Sequence, residues 1–168
     1  RIADASSRSL RFRIQISVEL LKEHVKGRSV FELGCGSGLI AQRLIECGAA
    51  RYVGIDIAEN AIALANQRKS ELGWSDKISF QVGTVANMQP VNEDVVLSLG
   101  VLDWLTDKEL AILFERQGKV DFLHAIAEKR RSLSQLAHRA YVQAAYGHRT
   151  GGYRPRYFTA AEIARFAS

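Results

Sequence analysis

Three glycines at alternate positions, Gly34, Gly36 and Gly38, stand between an apolar run and a stretch of helical periodicity, and the acid Glu32 sits two residues ahead of the first. Glycine weakens regular structure, so a cluster here marks backbone that something must approach closely. The spacing is not that of a dinucleotide fingerprint, in which the third glycine falls where this chain has Leu39. A P-loop is excluded too, because no Gly-Lys-Ser/Thr follows. A carboxylate at the end of the preceding strand would repel pyrophosphate oxygens and favour a positive charge. The pattern points to a nucleoside ligand that carries positive charge and no phosphates. A second acid, Asp56, lies 22 positions beyond Gly34, where nucleotide-binding folds place the carboxylate that holds a ribose. Its other reading is a cap on the helix that follows.

Such a turn needs a strand before it and a helix after it. Residues 9–25 read as a helix with Ile14, Val18, Leu21 and Val25 on one face. Short apolar strands are expected at 29–33, 51–57, 77–82, 93–100 and 119–127. Helices are expected from the glycine turn to about Cys47, over 58–72, 106–117 and 132–146, and after Thr159, with residues 147–158 as loop. Thr106 with Glu109 and Thr159 with Glu162 make capping boxes. This alternation predicts an α/β fold: a Rossmann-like, doubly wound, mainly parallel sheet with helices on both faces. Ligands bind such sheets beyond the carboxyl ends of the strands, where the strand order reverses. The chain divides into a basic helical segment, 1–28, that acts as a lid, and the Rossmann-like domain, 29–168.

The run Val30-Phe31-Glu32-Leu33-Gly34-Cys35-Gly36-Ser37-Gly38 resembles the first motif of the class I S-adenosylmethionine-dependent methyltransferases. Asp56 in "YVGIDIAENAIALAN", the segment "FQVGTVANM" and the strand "EDVVLSLGVLDWL" extend the likeness over about residues 10 to 168. The resemblance implies S-adenosylmethionine as cofactor. It implies that Gly34, Cys35, Gly36 and Gly38 line the methionine part and ribose, and that Glu32 orients the ligand's amino group. Asp56 would accept both ribose hydroxyls, Ile57 would pack on the adenine, and Thr84, Val85 and Gly100 would complete the site. One departure concerns strand three, where many members have Gly-Asp and this chain has Gly83-Thr84, so that Thr84 or Asn87 would have to meet the adenine.

Methyl transfer is an in-line displacement, and a base is needed only where the attacking group is protonated. Asp103, just past strand four, and His148, in a glycine-rich loop, are the candidate catalytic residues, with His138 a weaker one. The acceptor reading comes from charge. The net charge of +5 hides an acidic middle and two basic ends: residues 1–28 carry seven Lys/Arg against three acids, and residues 129–168 carry eight against one. In this topology both ends cover the mouth, which places Arg13, Arg139, Tyr146 and Arg149 at the substrate, with Arg11, Arg130, Arg131, Arg154 and Arg156 nearby. Arginine forks suit carboxylates and phosphates. The expected acceptor is therefore a small anionic molecule, methylated on oxygen or nitrogen. A nucleic-acid methyltransferase stacking bases on its tyrosines is the alternative, then a non-catalytic binding subunit of the same fold; a dehydrogenase is disfavoured by the glycine spacing.

At 168 residues, 47% hydrophobic and 24% charged, the chain has the composition of a globular domain with a core. No apolar run approaches the ~20 residues of a membrane span. Cys35 and Cys47 have neither disulfide-framework nor metal-ligand spacing, which implies a reduced, cytoplasmic setting and no metal. Cys35 reads as a small filler in the turn. The family's sheet normally ends in two further strands, an antiparallel pair that this chain lacks, and a bare fifth strand would leave an exposed edge. The natural protein is expected to continue past Ser168.

Overall fold

The structure, a computed structural model, describes residues 8–129 and 156–166. Five strands, β1 (Ser29–Leu33), β2 (Arg51–Asp56), β3 (Ile78–Val82), β4 (Val95–Leu99) and β5 (Asp121–Ala125), form one sheet in the order β3-β2-β1-β4-β5. All neighbouring pairs are parallel. The helices are α1 (Arg8–Leu21), α2 (Ala41–Glu46), α3 (Glu59–Glu71), α4 (Asp107–Gln117) and α5 (Ala160–Ala164). None of the described helices is long and apolar enough to cross a membrane.

Strand side chains alternate between faces, so each strand feeds two cores. Val30, Tyr52, Ile78, Phe80, Val95 and Leu97 pack with Ile14, Leu21, Val25, Leu44, Ile62 and Ala65, from the α1–α2–α3 side. Phe31, Leu33, Ile55 and Val96 pack with Leu110, Leu113, Phe114, Phe158 and Ile163, from the α4–α5 side. Each fully buried aliphatic or aromatic side chain contributes about 1.5–3 kcal/mol relative to exposure. These two layers make the fold doubly wound.

Both capping boxes form. The Thr106 hydroxyl accepts from Glu109 N–H (3.3 Å) while the Glu109 carboxylate accepts from Thr106 N–H (2.8 Å), and Thr159 with Glu162 repeat the arrangement. The ends of other elements differ from expectation. The α1 helix stops at Leu21, yet Val25 stays buried because its N–H still bonds the Leu21 carbonyl (3.0 Å) before the chain turns into β1. The β4 strand starts only at Val95: Glu93 turns to Arg51 and Asp94 accepts from Ser29 N–H (2.8 Å) outside the ladder. The helix expected over 132–146 lies outside the described residues.

The strand order reverses between β1 and β4, so the turns that follow these strands, Gly34–Gly38 and Gly100–Asp103, lie side by side. The outer edge of β5 pairs with no strand among the described residues, and Phe122 there is 47% exposed. Just past β5 the chain meets the segment leading to α5: Phe158 N–H donates to the Ala127 carbonyl (3.1 Å) and Lys129 N–H to the Phe158 carbonyl (2.9 Å).

Candidate functional site

The three glycines of the turn all have positive φ, but for different reasons. A Cβ on Gly34 would lie 2.0 Å from Val101 Cγ2, so this glycine lets the β1 and β4 turns touch. A Cβ on Gly38 would lie 2.4 Å from Phe80 Cζ, so this one is a packing requirement of the core. A Cβ on Gly36 would meet nothing within 4 Å. Gly36 is thus where the turn opens, and its neighbours fix it in place. Gly34 and Cys35 N–H both donate to the Ile55 carbonyl (2.7 and 3.0 Å), and Arg68 of α3 holds the Ser37 hydroxyl (2.8 Å).

Asp56 stands at the side of this opening. Its Oδ2 accepts from Gly36 N–H (2.8 Å) and its Oδ1 from Ala58 N–H (2.9 Å), the residue that enters α3. The cap and the ligand readings are therefore compatible: each oxygen holds one N–H and keeps a further lone pair. Beside it Ile57 is 71% exposed, an apolar side chain facing open space at the end of β2. Thr84 and Asn87 are bonded to each other: Thr84 N–H and hydroxyl both donate to Asn87 Oδ1 (2.8 and 3.0 Å), and Asn87 N–H donates back to the Thr84 hydroxyl (3.3 Å). The side chain of Val85 is in the core, so any part it takes in binding runs through its main chain.

Glu32 is 3% exposed. It faces the α2–α3 layer, opposite Gly54 in the β1–β2 register, and its Oε2 accepts the hydroxyl of Tyr52, a residue with no exposed surface. Burial pushes the Glu32 carboxyl up to about 8, against the Tyr52 bond, which lowers it. Cys35 packs against Gly54, and burial with the nearby Glu32 and Asp56 charges raises its thiol well above the usual range. It is a filler, not a nucleophile.

Across the opening, α1 delivers Arg13 to the end of β4. Its Nη1 donates to the Leu99 carbonyl (3.4 Å) and lies 2.3 Å from where a Gly100 Cβ would be, and its Nε is buried without a hydrogen-bond partner. Asp103, on a short 3₁₀ turn (Leu102–Trp104), points Oδ2 to the same place, 4.0 Å from that Cβ position. Its Oδ1 accepts from Ala127 N–H (2.8 Å) and its carbonyl from Arg156 N–H (2.7 Å). Burial raises the Asp103 carboxyl above its ordinary range; the Ala127 bond and the Arg13 charge oppose this. Arg156, counted among the anion-binding arginines from sequence, is committed elsewhere: it bonds the Leu105 carbonyl (2.7 Å) and Asp107 (2.5 Å) and stacks on Phe158. His148, His138, Arg139, Tyr146, Arg149, Arg130, Arg131 and Arg154 lie outside the described residues.

Sequence reasoning passed over Tyr52 and a polar triad of which Ser98 and Gln117 are buried and His124 partly so. On β5, His124 bonds Ser98 (Nδ1, 2.9 Å) and Gln117 of α4 (Nε2, 3.0 Å) beneath Phe114, and burial lowers its pKa to about 4. Tyr52, Ser98 and His124 sit inside stretches that read as apolar strand and Gln117 closes a helix, and the signal available was a polar residue within each.

A five-stranded parallel sheet, a glycine opening at its switch point and an acid closing the second strand define a Rossmann-like domain. Residues 24–148 match the family model described as a methyltransferase domain, and the chain belongs to that family. It is 33% identical over 87 residues to the ubiquinone biosynthesis O-methyltransferase of Idiomarina loihiensis, covering 51% of this chain and 35% of that protein. It is 38% identical over 77 residues to the ribosomal protein L11 methyltransferase of Thermotoga maritima, covering 42% of this chain and 29% of that protein. The matches thus span about a third of these relatives' length. Magnesium protoporphyrin IX methyltransferase of Synechocystis PCC 6803, solved with bound SAH, shares the fold at a TM-score of 0.71 and 22% identity, covering 98% of this chain and 75% of that one.

Proposed function

We propose that this chain uses S-adenosylmethionine to methylate an oxygen or nitrogen of a small acceptor bearing an anionic group. The observation that carries the reading is the opening between Gly36 with Asp56 on one side and Arg13 with Asp103 on the other, at the sheet's switch point.

The residues fit the cofactor. The open side of Gly36 leaves room for it, Asp56 has lone pairs for two ribose hydroxyls, and the exposed Ile57 offers an apolar face for the adenine. Glu32 supplies the carboxyl for the amino end. Thr84 and Asn87 satisfy each other, so the adenine amino group has no acidic partner there. When bound, S-adenosylmethionine supplies a methyl group activated on a sulfonium.

The chain's own part is to hold the acceptor in line and to take its proton. Holding two reactants aligned is worth up to roughly 7–11 kcal/mol of barrier. Arg13 holds its guanidinium at the end of β4, with Nη1 beside Gly100, a group suited to a carboxylate or phosphate. Asp103 Oδ2 faces the same space, and its raised pKa makes the carboxylate a better acceptor for the proton of an attacking O–H or N–H. The two relatives act on different acceptor classes by name, so the acceptor rests on Arg13 and charge.

The test is calorimetric titration with S-adenosylmethionine on wild type and Asp56→Ala, with NADH as control. Micromolar binding to wild type, weakened more than ~10-fold in the variant, is expected for two lost hydroxyl bonds to a charged group. No binding to a folded protein, or equal binding to both, overturns the cofactor assignment.

A further inference from the structure

We propose that Tyr52 is the positioning residue for Glu32, and that the pair makes cofactor uptake a proton-releasing step. This rests on the cofactor reading above and adds to it a residue and a pH dependence.

The geometry follows from the register. Glu32 pairs with Gly54, and a side chain there would meet Cys35 Cβ at 2.7 Å, so Cys35 fills the space beside the carboxyl. The carboxyl reaches Tyr52 instead, two residues earlier on β2 and on the same face. Tyr52 has no exposed surface, and its ring stands edge-on to Phe80 with centroids 5.9 Å apart. The ring is wedged, so its hydroxyl is a fixed donor that sets one carboxyl rotamer.

Among the described residues no cation balances that carboxyl. The described groups facing it are Tyr52 from β2, the Cys35 thiol from the turn, and the Asp56 carboxylate at the end of β2. The arginine that α3 sends to the turn, Arg68, is bonded to Ser37 (2.8 Å), and Arg13 of α1 to the Leu99 carbonyl (3.4 Å). Arg43 of α2 is exposed. A buried carboxyl with only anions and neutral groups around it favours its protonated form. The cofactor's ammonium and sulfonium are the missing positive charge. When they arrive Glu32 ionises, its proton passes to solvent, and the Tyr52 hydroxyl, which favours the ionised form, holds the carboxylate in place.

The experiment titrates S-adenosylmethionine into wild type, Tyr52→Phe and Glu32→Gln between pH 6 and 9, each in two buffers of different ionisation enthalpy. The ligand's own titration is common to all three proteins and cancels in their ratios. Relative to Glu32→Gln, wild-type affinity is expected to rise ~10-fold per pH unit below the Glu32 pKa and then level off, with a proton released on binding below that point. Tyr52→Phe removes only a hydroxyl; it is expected to bind several-fold more weakly at pH 7 and to approach wild type at pH 9. A pH-independent ratio of wild type to Glu32→Gln, or the same loss in Tyr52→Phe at every pH, overturns the proposal while leaving cofactor binding itself intact. Failure of wild type to bind at any pH removes the reading on which the proposal rests, and the proposal with it.

Discussion

Alanine at Gly36 and at Gly38 separates the two tasks of the glycine turn. Both residues lie in the left-handed region, at φ +52° and +72°, where a Cβ costs about 1–2 kcal/mol. For Gly36→Ala that is the whole expected loss of stability, since the new methyl meets nothing within 4 Å. For Gly38→Ala the methyl would lie 2.4 and 2.7 Å from two atoms of the Phe80 ring, which is braced by Tyr52 and Trp74 at centroid distances of 5.9 and 6.5 Å. The ring cannot retreat, and overpacking adds about 1–3 kcal/mol, for a total of about 2–5 kcal/mol. Urea denaturation of both variants measures this. Cofactor titration should give the reverse order, with Gly36→Ala losing the more affinity per unit of stability lost. Phe80→Leu should be at least ~1 kcal/mol less destabilising in Gly38→Ala than in wild type, and equally destabilising in Gly36→Ala and wild type, because only contacting residues couple. Equal stabilities for the two single variants, or equal coupling of both to Phe80, would refute the division of labour.

Acid should act through His124. Its folded pKa, about 4, is below its unfolded value, so the stability tied to the neutral ring is complete above about pH 6.5 and is lost as pH falls toward 4. The loss is at most ~3 kcal/mol, less where solvent reaches the ring, and His124→Asn should flatten that part of a stability–pH curve. Thr106→Ala should cost about 1 kcal/mol in thermal or urea unfolding, by leaving the first turn of α4 without its cap, with no change in cofactor affinity.

Local signals in the sequence survived into the structure, and long-range ones did not declare themselves. The capping boxes at Thr106 and Thr159 needed only a hydroxyl and a carboxylate three residues apart. The place of the glycine turn followed from its strand and helix neighbours. That only Gly36 of the three is open could not be read, because Val101 comes from the turn after β4 and Phe80 from β3. Glu32 read as an acid at a strand end; its partner Tyr52 is twenty residues away, and the bond depends on the β1–β2 register. Arg13 reaches the site and Arg156 is engaged by Asp107, although the two arginines are alike in composition, because only the packing of α1 and of the α5 approach decides which guanidinium is spent.

Asp103 joins the β4 turn to the end of β5 through one carboxylate oxygen and receives the α5 approach at its carbonyl, while its other oxygen looks into the opening. A rate measured on an Asp103 variant therefore mixes architecture with chemistry. Alanine removes both together. Asparagine keeps an oxygen for the Ala127 N–H and discards only the charge, so the kinetic difference between the two replacements, and neither rate by itself, reports what the carboxylate does to the acceptor.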